Sequence, residues 1–132
     1  MKRLSKRFDI QEADLYLPVK RFLVQQGYEV KGEVQNCDVI AVRGERHVVV
    51  VELKLSINLT VLLQAVDRLQ ISDVVYIGVP SGVGILKKQR KLIIKLLRML
   101  GLGLIVIDPA ATVGSVDVLC DPGEYKPRRV TH

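Results

Sequence analysis

Val48-Val49-Val50-Val51-Glu52-Leu53-Lys54 is the stretch on which the architecture turns. Four consecutive valines suit a central strand covered on both faces. Two charges then interrupt the apolar run. Side chains two apart on a strand project from the same face, so Glu52 and Lys54 point together into one helix-covered face or cleft. Burying a carboxylate or an ammonium without partners is costly, and a purely structural strand would carry Val or Ile at these positions.

The segment just before it, 37–42, is a second β-branched run, and Arg43-Gly44-Glu45-Arg46 between the two reads as a hairpin turn. A three-residue turn at Gly44-Glu45-Arg46 makes Asp38 the direct cross-strand neighbour of Glu52. A two-residue turn sends the two carboxylates to opposite faces, and Gly44 suits either. Further upstream, 28–34 alternates Tyr28, Val30, Gly32, Val34 against Glu29, Lys31, Glu33, the pattern of a half-exposed strand. A helix is predicted over 13–26, ending at Gly27, and Pro18 should either start its regular part near Leu17 or kink it.

Downstream, Asn58 can cap a helix running to 70, with Leu59, Leu62, Leu63, Val66 and Leu69 as one core-facing stripe. A strand over 74–79, a helix over 85–100 stopped by Gly101, and strands over 104–107 and 116–119 complete the order α-β-β-β-α-β-α-β-β. The strand–helix–strand unit after the hairpin should be a right-handed parallel crossover. The predicted fold is therefore three-layer α/β/α around a mixed sheet. The 132 residues amount to one domain, 1–132, with basic ends at 1–7 and 124–132 expected to be loose.

Composition narrows the function classes. With 48% hydrophobic and 26% charged residues the chain is ordinary for a soluble domain. The apolar region 92–107 is cut by Lys95 and Arg98, so no segment reads as membrane-spanning, and no apolar stretch follows the basic start to make a secretory signal. Cys37 and Cys120 form no C-x-x-C pair, which argues against zinc and fits free thiols in a cytoplasmic protein. The net charge of +6 favours acidic partners such as nucleic acid.

Two carboxylates at the distance of a direct cross-strand pair repel unless a cation lies between them. Lys54 offers one charge and a divalent ion two. Mg²⁺ is held by one or two protein carboxylates, with waters and phosphate oxygens completing its shell, and the arrangement suits attack of water on a phosphodiester. The bland alternative is a salt-bridged trio at a sheet end, with Lys54 as the counter-ion.

The block Asp38-Val39-Ile40-Ala41-Val42, the turn, and Val49-Val50-Val51-Glu52-Leu53-Lys54 resembles the PD-(D/E)XK nuclease superfamily. The αβββαβ order matches the restriction-endonuclease-like core, here extended by a C-terminal helix and short strands. Gly27 to Val34, Glu52 to Ser56, Leu63 to Leu69 and Tyr125 to Arg129 further resemble a family of small bacterial proteins classed as PD-(D/E)XK-type phosphodiesterases. The resemblance implies that Asp38 and Glu52 are metal ligands, with the Leu53 carbonyl as a third, and that Lys54 orients the attacking water or stabilises developing charge. It also implies a site acid on the first helix, Glu12 with Asp14 as fallback, and a site amide at Gln64. The bound ion would be Mg²⁺, with Mn²⁺ able to substitute. The departure is Cys37, which stands where the first motif has Pro.

Gln64 lies off the predicted stripe and Arg68 sits one turn on, so the two could reach a phosphate or a metal-bound water from one flank. The helix over 85–100 carries Lys87, Lys88, Arg90, Lys91, Lys95 and Arg98 and no acid. Lys87, Lys88 and Lys91, together with Arg68, are the expected phosphate-backbone contacts; an ordinary solvated face is the competing reading. The expected partner is nucleic acid, DNA ahead of RNA, with no membrane; so small a domain is compatible with a homodimer. The alternative function is a non-catalytic nucleic-acid-binding module on a nuclease fold. Nucleotide binding at Ser81-Gly82-Val83-Gly84 is disfavoured, because the third glycine of G-x-G-x-x-G falls at Lys87.

Overall fold

The computed structural model describes residues 10–32, 39–111 and 115–123. The elements are α1 (Ala13–Gln25), β1 (Glu29–Val30), β2 (Val39–Arg43), β3 (His47–Leu53), α2 (Leu59–Arg68), β4 (Val74–Pro80), α3 (Gly84–Leu100), β5 (Gly103–Ile107) and β6 (Val116–Cys120). This is the predicted order. The strands form one open six-stranded sheet in the order β1-β2-β3-β4-β5-β6. β3, β4 and β5 run parallel to one another and the remaining neighbours are antiparallel, so the sheet is mixed.

Two apolar cores lie on the two faces of the sheet. On one, Leu15, Val19 and Leu23 of α1 pack against Val39, Ala41, Val49, Val51, Leu53, Ile105 and Ile107. On the other, Val61 and Ala65 of α2 and Leu86, Ile93 and Leu97 of α3 pack against Val50, Val75, Ile77, Val79 and Leu104. Strand alternation explains the division within β3. Val49, Val51 and Leu53 face α1, while Val50 and the residues of its parity face α2 and α3. Helices thus cover both faces of the sheet, as the valine run requires.

The hairpin takes the three-residue turn. Arg43 pairs with His47, Ala41 with Val49 and Val39 with Val51, and Gly44 supplies the left-handed residue at φ 67. Arg43 also stacks over the Tyr28 ring at 4.6 Å and donates to the Gln26 carbonyl at 2.8 Å, which ties the hairpin to the end of α1.

α1 starts at Ala13 and runs through Pro18, which is buried. This differs from the predicted start or kink. The bond that Pro18 cannot donate belongs to the Asp14 carbonyl in the exposed first turn, where water can replace it. Asn58 caps α2 as expected, its Oδ1 accepting from the Val61 N–H at 3.0 Å. The predicted core stripe of α2 holds only in part: Leu62 and Leu69 pack against the core, whereas Leu59 is 68% and Leu63 62% exposed, and Val61 and Ala65 are buried beside them. On α3, Leu92 and Leu96 are exposed, while Ile93 and Leu97 are buried. α3 ends at Gly101 (φ 79), where the Leu102 N–H bonds the Leu97 carbonyl at 2.8 Å. Cys120 is a free, buried thiol, and Cys37 lies outside the described residues. Among the described residues no helix is long and apolar enough to cross a membrane.

Candidate active site

Glu52 occupies the next-to-last position of β3 and has 0% exposure. It is the buried charged side chain in a strand whose other buried residues are valines and a leucine. By alternation it shares the face of Val50, beneath α2. There the Arg68 guanidinium meets it, Nε lying 3.4 Å from Oε2, with the Arg68 side chain 14% exposed. The Nη1 of the same guanidinium lies 3.3 Å from the exposed Asp67 carboxylate.

Arg68 reaches this position because Val61, Ala65 and Arg68 stand at i, i+4 and i+7 and so line one face of α2. The small side chains Val61 and Ala65 let the helix settle close to β3 and β4. The guanidinium at the end of that stripe is then lowered onto the carboxylate.

Lys54 follows β3 directly, and its N–H donates to the Gly78 carbonyl at 2.9 Å, continuing the parallel ladder past Leu53. The backbone is therefore still extended at Lys54, and the Glu52 and Lys54 Cβ atoms leave the same face. Lys54 is half-buried. Leu53 turns its side chain to the opposite core, its Cδ2 lying 3.0 Å from where a Cβ on Gly78 would stand.

Asp38 lies outside the described residues, as do Glu33 and the basic tail residues Lys126, Arg128 and Arg129. The described part of the hairpin has the register that the shared-face expectation needs, since Val39 opposes Val51. Gln64 is exposed on α2, one turn before Arg68. Glu12 is exposed at the N-cap of α1, which packs on the other face of the sheet from Glu52. Asp14, the fallback acid, accepts from the Gln11 N–H at 2.8 Å and so tidies the helix start. Lys87, Lys88 and Lys91 are all exposed on α3, and α3 departs from helical geometry at Gln89 between them. No salt bridge engages these three lysines among the described residues.

Among the described residues the donors here that suit a cation are oxygens, the Glu52 carboxylate and backbone carbonyls, the kind a hard ion such as Mg²⁺ takes. Among the described residues no cluster of three His, Cys, Asp or Glu side chains forms. A cleft of about 440 Å³, lined by residues that include His47, Ser72 and Asp73, lies at the opposite end of β3 from Glu52. It does not touch the Glu52–Lys54 pair.

The partnership of Glu52 with Arg68 was missed in the sequence, where Arg68 was assigned to phosphate. The signal was present: Arg68 continues the Val61/Ala65 spacing. The bulkier Leu59/Leu63/Val66 series masked it. A scan against protein-family models, a search of curated proteins and a search of solved structures found no match for this chain.

Proposed function

We infer that the chain is a Mg²⁺-dependent phosphodiesterase of the PD-(D/E)XK kind, acting on nucleic acid with DNA ahead of RNA. The observation that carries this reading is the fully buried Glu52 near the end of a valine strand, with Lys54 two residues on and on the same face. A carboxylate in such a place is costly and adds no apolar packing, so a chemical role explains it better than a structural one.

In this reading the Asp38 and Glu52 carboxylates and the Leu53 carbonyl hold Mg²⁺. When bound, the ion supplies positive charge to the phosphoryl oxygens and lowers the pKa of a coordinated water. The Lys54 ammonium donates hydrogen bonds only, so it orients the attacking water or steadies charge on the phosphate. Arg68 holds the Glu52 carboxylate in place from the α2 side, and Gln64 offers its amide from the neighbouring flank. Lys87, Lys88 and Lys91 take the nucleic-acid backbone.

A second reading is supported by the same ion pair. Arg68 already provides Glu52 with a positive charge, which suits a non-catalytic nucleic-acid-binding module. Incubation of plasmid with the protein and Mg²⁺ or Mn²⁺ separates the two. The catalytic reading predicts nicking that chelator abolishes and that Glu52→Gln lacks. Tight DNA binding without nicking under either metal supports the module instead.

A further inference from the structure

α2 and α3 each leave an apolar stripe uncovered, and the two stripes have the same spacing. On α2, Leu59, Leu63 and Val66 stand at i, i+4 and i+7, with exposures of 68%, 62% and 38%. On α3, Leu92, Leu96 and Met99 repeat that interval, with 64%, 37% and 53%. Three residues at this interval make a ridge about 10 Å long on each helix.

The ridges lie on one surface. Both helices cover the same face of the sheet, and both connect parallel neighbouring strands. Right-handed crossovers set them side by side and pointing the same way. In a right-handed helix the α2 stripe then lies on the flank turned toward α3, and the α3 stripe on the flank turned toward α2. The result is an open apolar furrow. Scattered surface leucines need no explanation, but two matched stripes facing one furrow do.

We propose that this furrow is the interface of a two-fold dimer, in which α2 of each copy lies on α3 of the other. Three features of the surface select a second copy as its occupant. The ridges are equal in length and interval, so each copy offers both halves of the contact, as an isologous interface requires. The six side chains expose on the order of 600 Å² together; a standard interface takes about 800 Å² from each partner, and the polar rim supplies the rest. The charges are also complementary across the symmetry. The exposed Asp67 stands on α2, and Lys95, with no carboxylate partner among the described residues, stands on α3. Laying α2 on the partner's α3 brings these opposite charges to the same rim, twice. The inference goes beyond the catalytic reading and does not depend on it.

Sedimentation equilibrium on the full chain tests the interface. Wild type should run at twice the chain mass. Leu63→Glu and Leu96→Glu should each raise the dissociation constant about tenfold or more. Both positions are already exposed, so circular dichroism and Tm should show the variants folded. Asp67→Lys should weaken the dimer, and combining it with Lys95→Glu should restore part of the affinity. A Leu63→Cys variant should cross-link to Leu96→Cys under mild oxidation in a mixture of the two. Wild type that stays monomeric at high concentration overturns the proposal. So does a dimer unaffected by Leu63→Glu and Leu96→Glu, which would place the contact elsewhere.

Discussion

The Arg68 guanidinium stands 3.4 Å from the Glu52 carboxylate between sheet and helix, with the two side chains 14% and 1% exposed. An ion pair this dry adds little net stability against an apolar pair of the same volume, because both charges lose their water. Removing one member is another matter, since the other then loses a close opposite charge in a place with little water.

Arg68→Met should therefore destabilise the fold by about 3–5 kcal/mol. Pairing it with Glu52→Leu should recover most of that loss. If Glu52 ligates a cation, millimolar Mg²⁺ should also raise the midpoint of Arg68→Met more than that of wild type. Urea denaturation of the two variants with and without Mg²⁺ measures each effect.

Much of this arrangement was legible in the sequence. The valine run marked a central strand, the Gly44 turn marked a hairpin but left its parity open, and Asn58 marked the start of α2. What misled was the assumption that the largest side chains face inward. On α2 the inward stripe is Val61, Ala65 and Arg68, because a short crossover helix that must bring a guanidinium onto Glu52 needs small residues beneath it. The Leu59/Leu63/Val66 stripe is more apolar and has the same period, so periodicity alone could not choose between them. Pro18 misled for a different reason. Its cost depends on whether the freed carbonyl meets water, which tertiary structure decides.

Gly103 stands beside Tyr76 in the β4–β5 ladder, and the ring occupies the space a side chain would need. A Cβ at Gly103 would lie 2.5 Å from Tyr76 Cδ2 and 2.7 Å from Pro122 Cδ. Gly103→Ala should cost about 1–3 kcal/mol by overpacking. Adding Tyr76→Leu should recover part of it, as read by Tm of the single and double variants.

The Tyr76 hydroxyl donates to Asp121 at 2.8 Å. Burial first, and then this bond and the Asp121 charge, push its pKa well above the ordinary 10.0. The folded state thus holds a proton that the unfolded chain releases. The resulting stability is complete below pH 10.0 and is lost as pH rises from there toward the folded-state value. Stability curves above pH 10.0 should fall less steeply for Tyr76→Phe than for wild type.

Replacing Lys87, Lys88 and Lys91 with Gln should weaken nucleic-acid binding and flatten its salt dependence. Each lost phosphate contact should lower the log–log slope by about 0.7–0.9. Fluorescence anisotropy across a salt series reads both quantities. An unchanged slope would assign this face of α3 to solvent.

Lys54 separates a catalytic centre from a structural trio most sharply, because it alone of the three charged residues cannot ligate a cation while protonated. The decisive measurement pairs Mg²⁺ calorimetry with a cleavage assay on wild type, Asp38→Ala and Lys54→Ala. Asp38→Ala should lose both metal and cleavage. Lys54→Ala should keep or strengthen metal binding, having lost a repelling neighbour, and still lose cleavage. Wild-type cleavage by Lys54→Ala, or loss of metal as complete as in Asp38→Ala, would contradict the assignment and leave Lys54 a structural counter-ion.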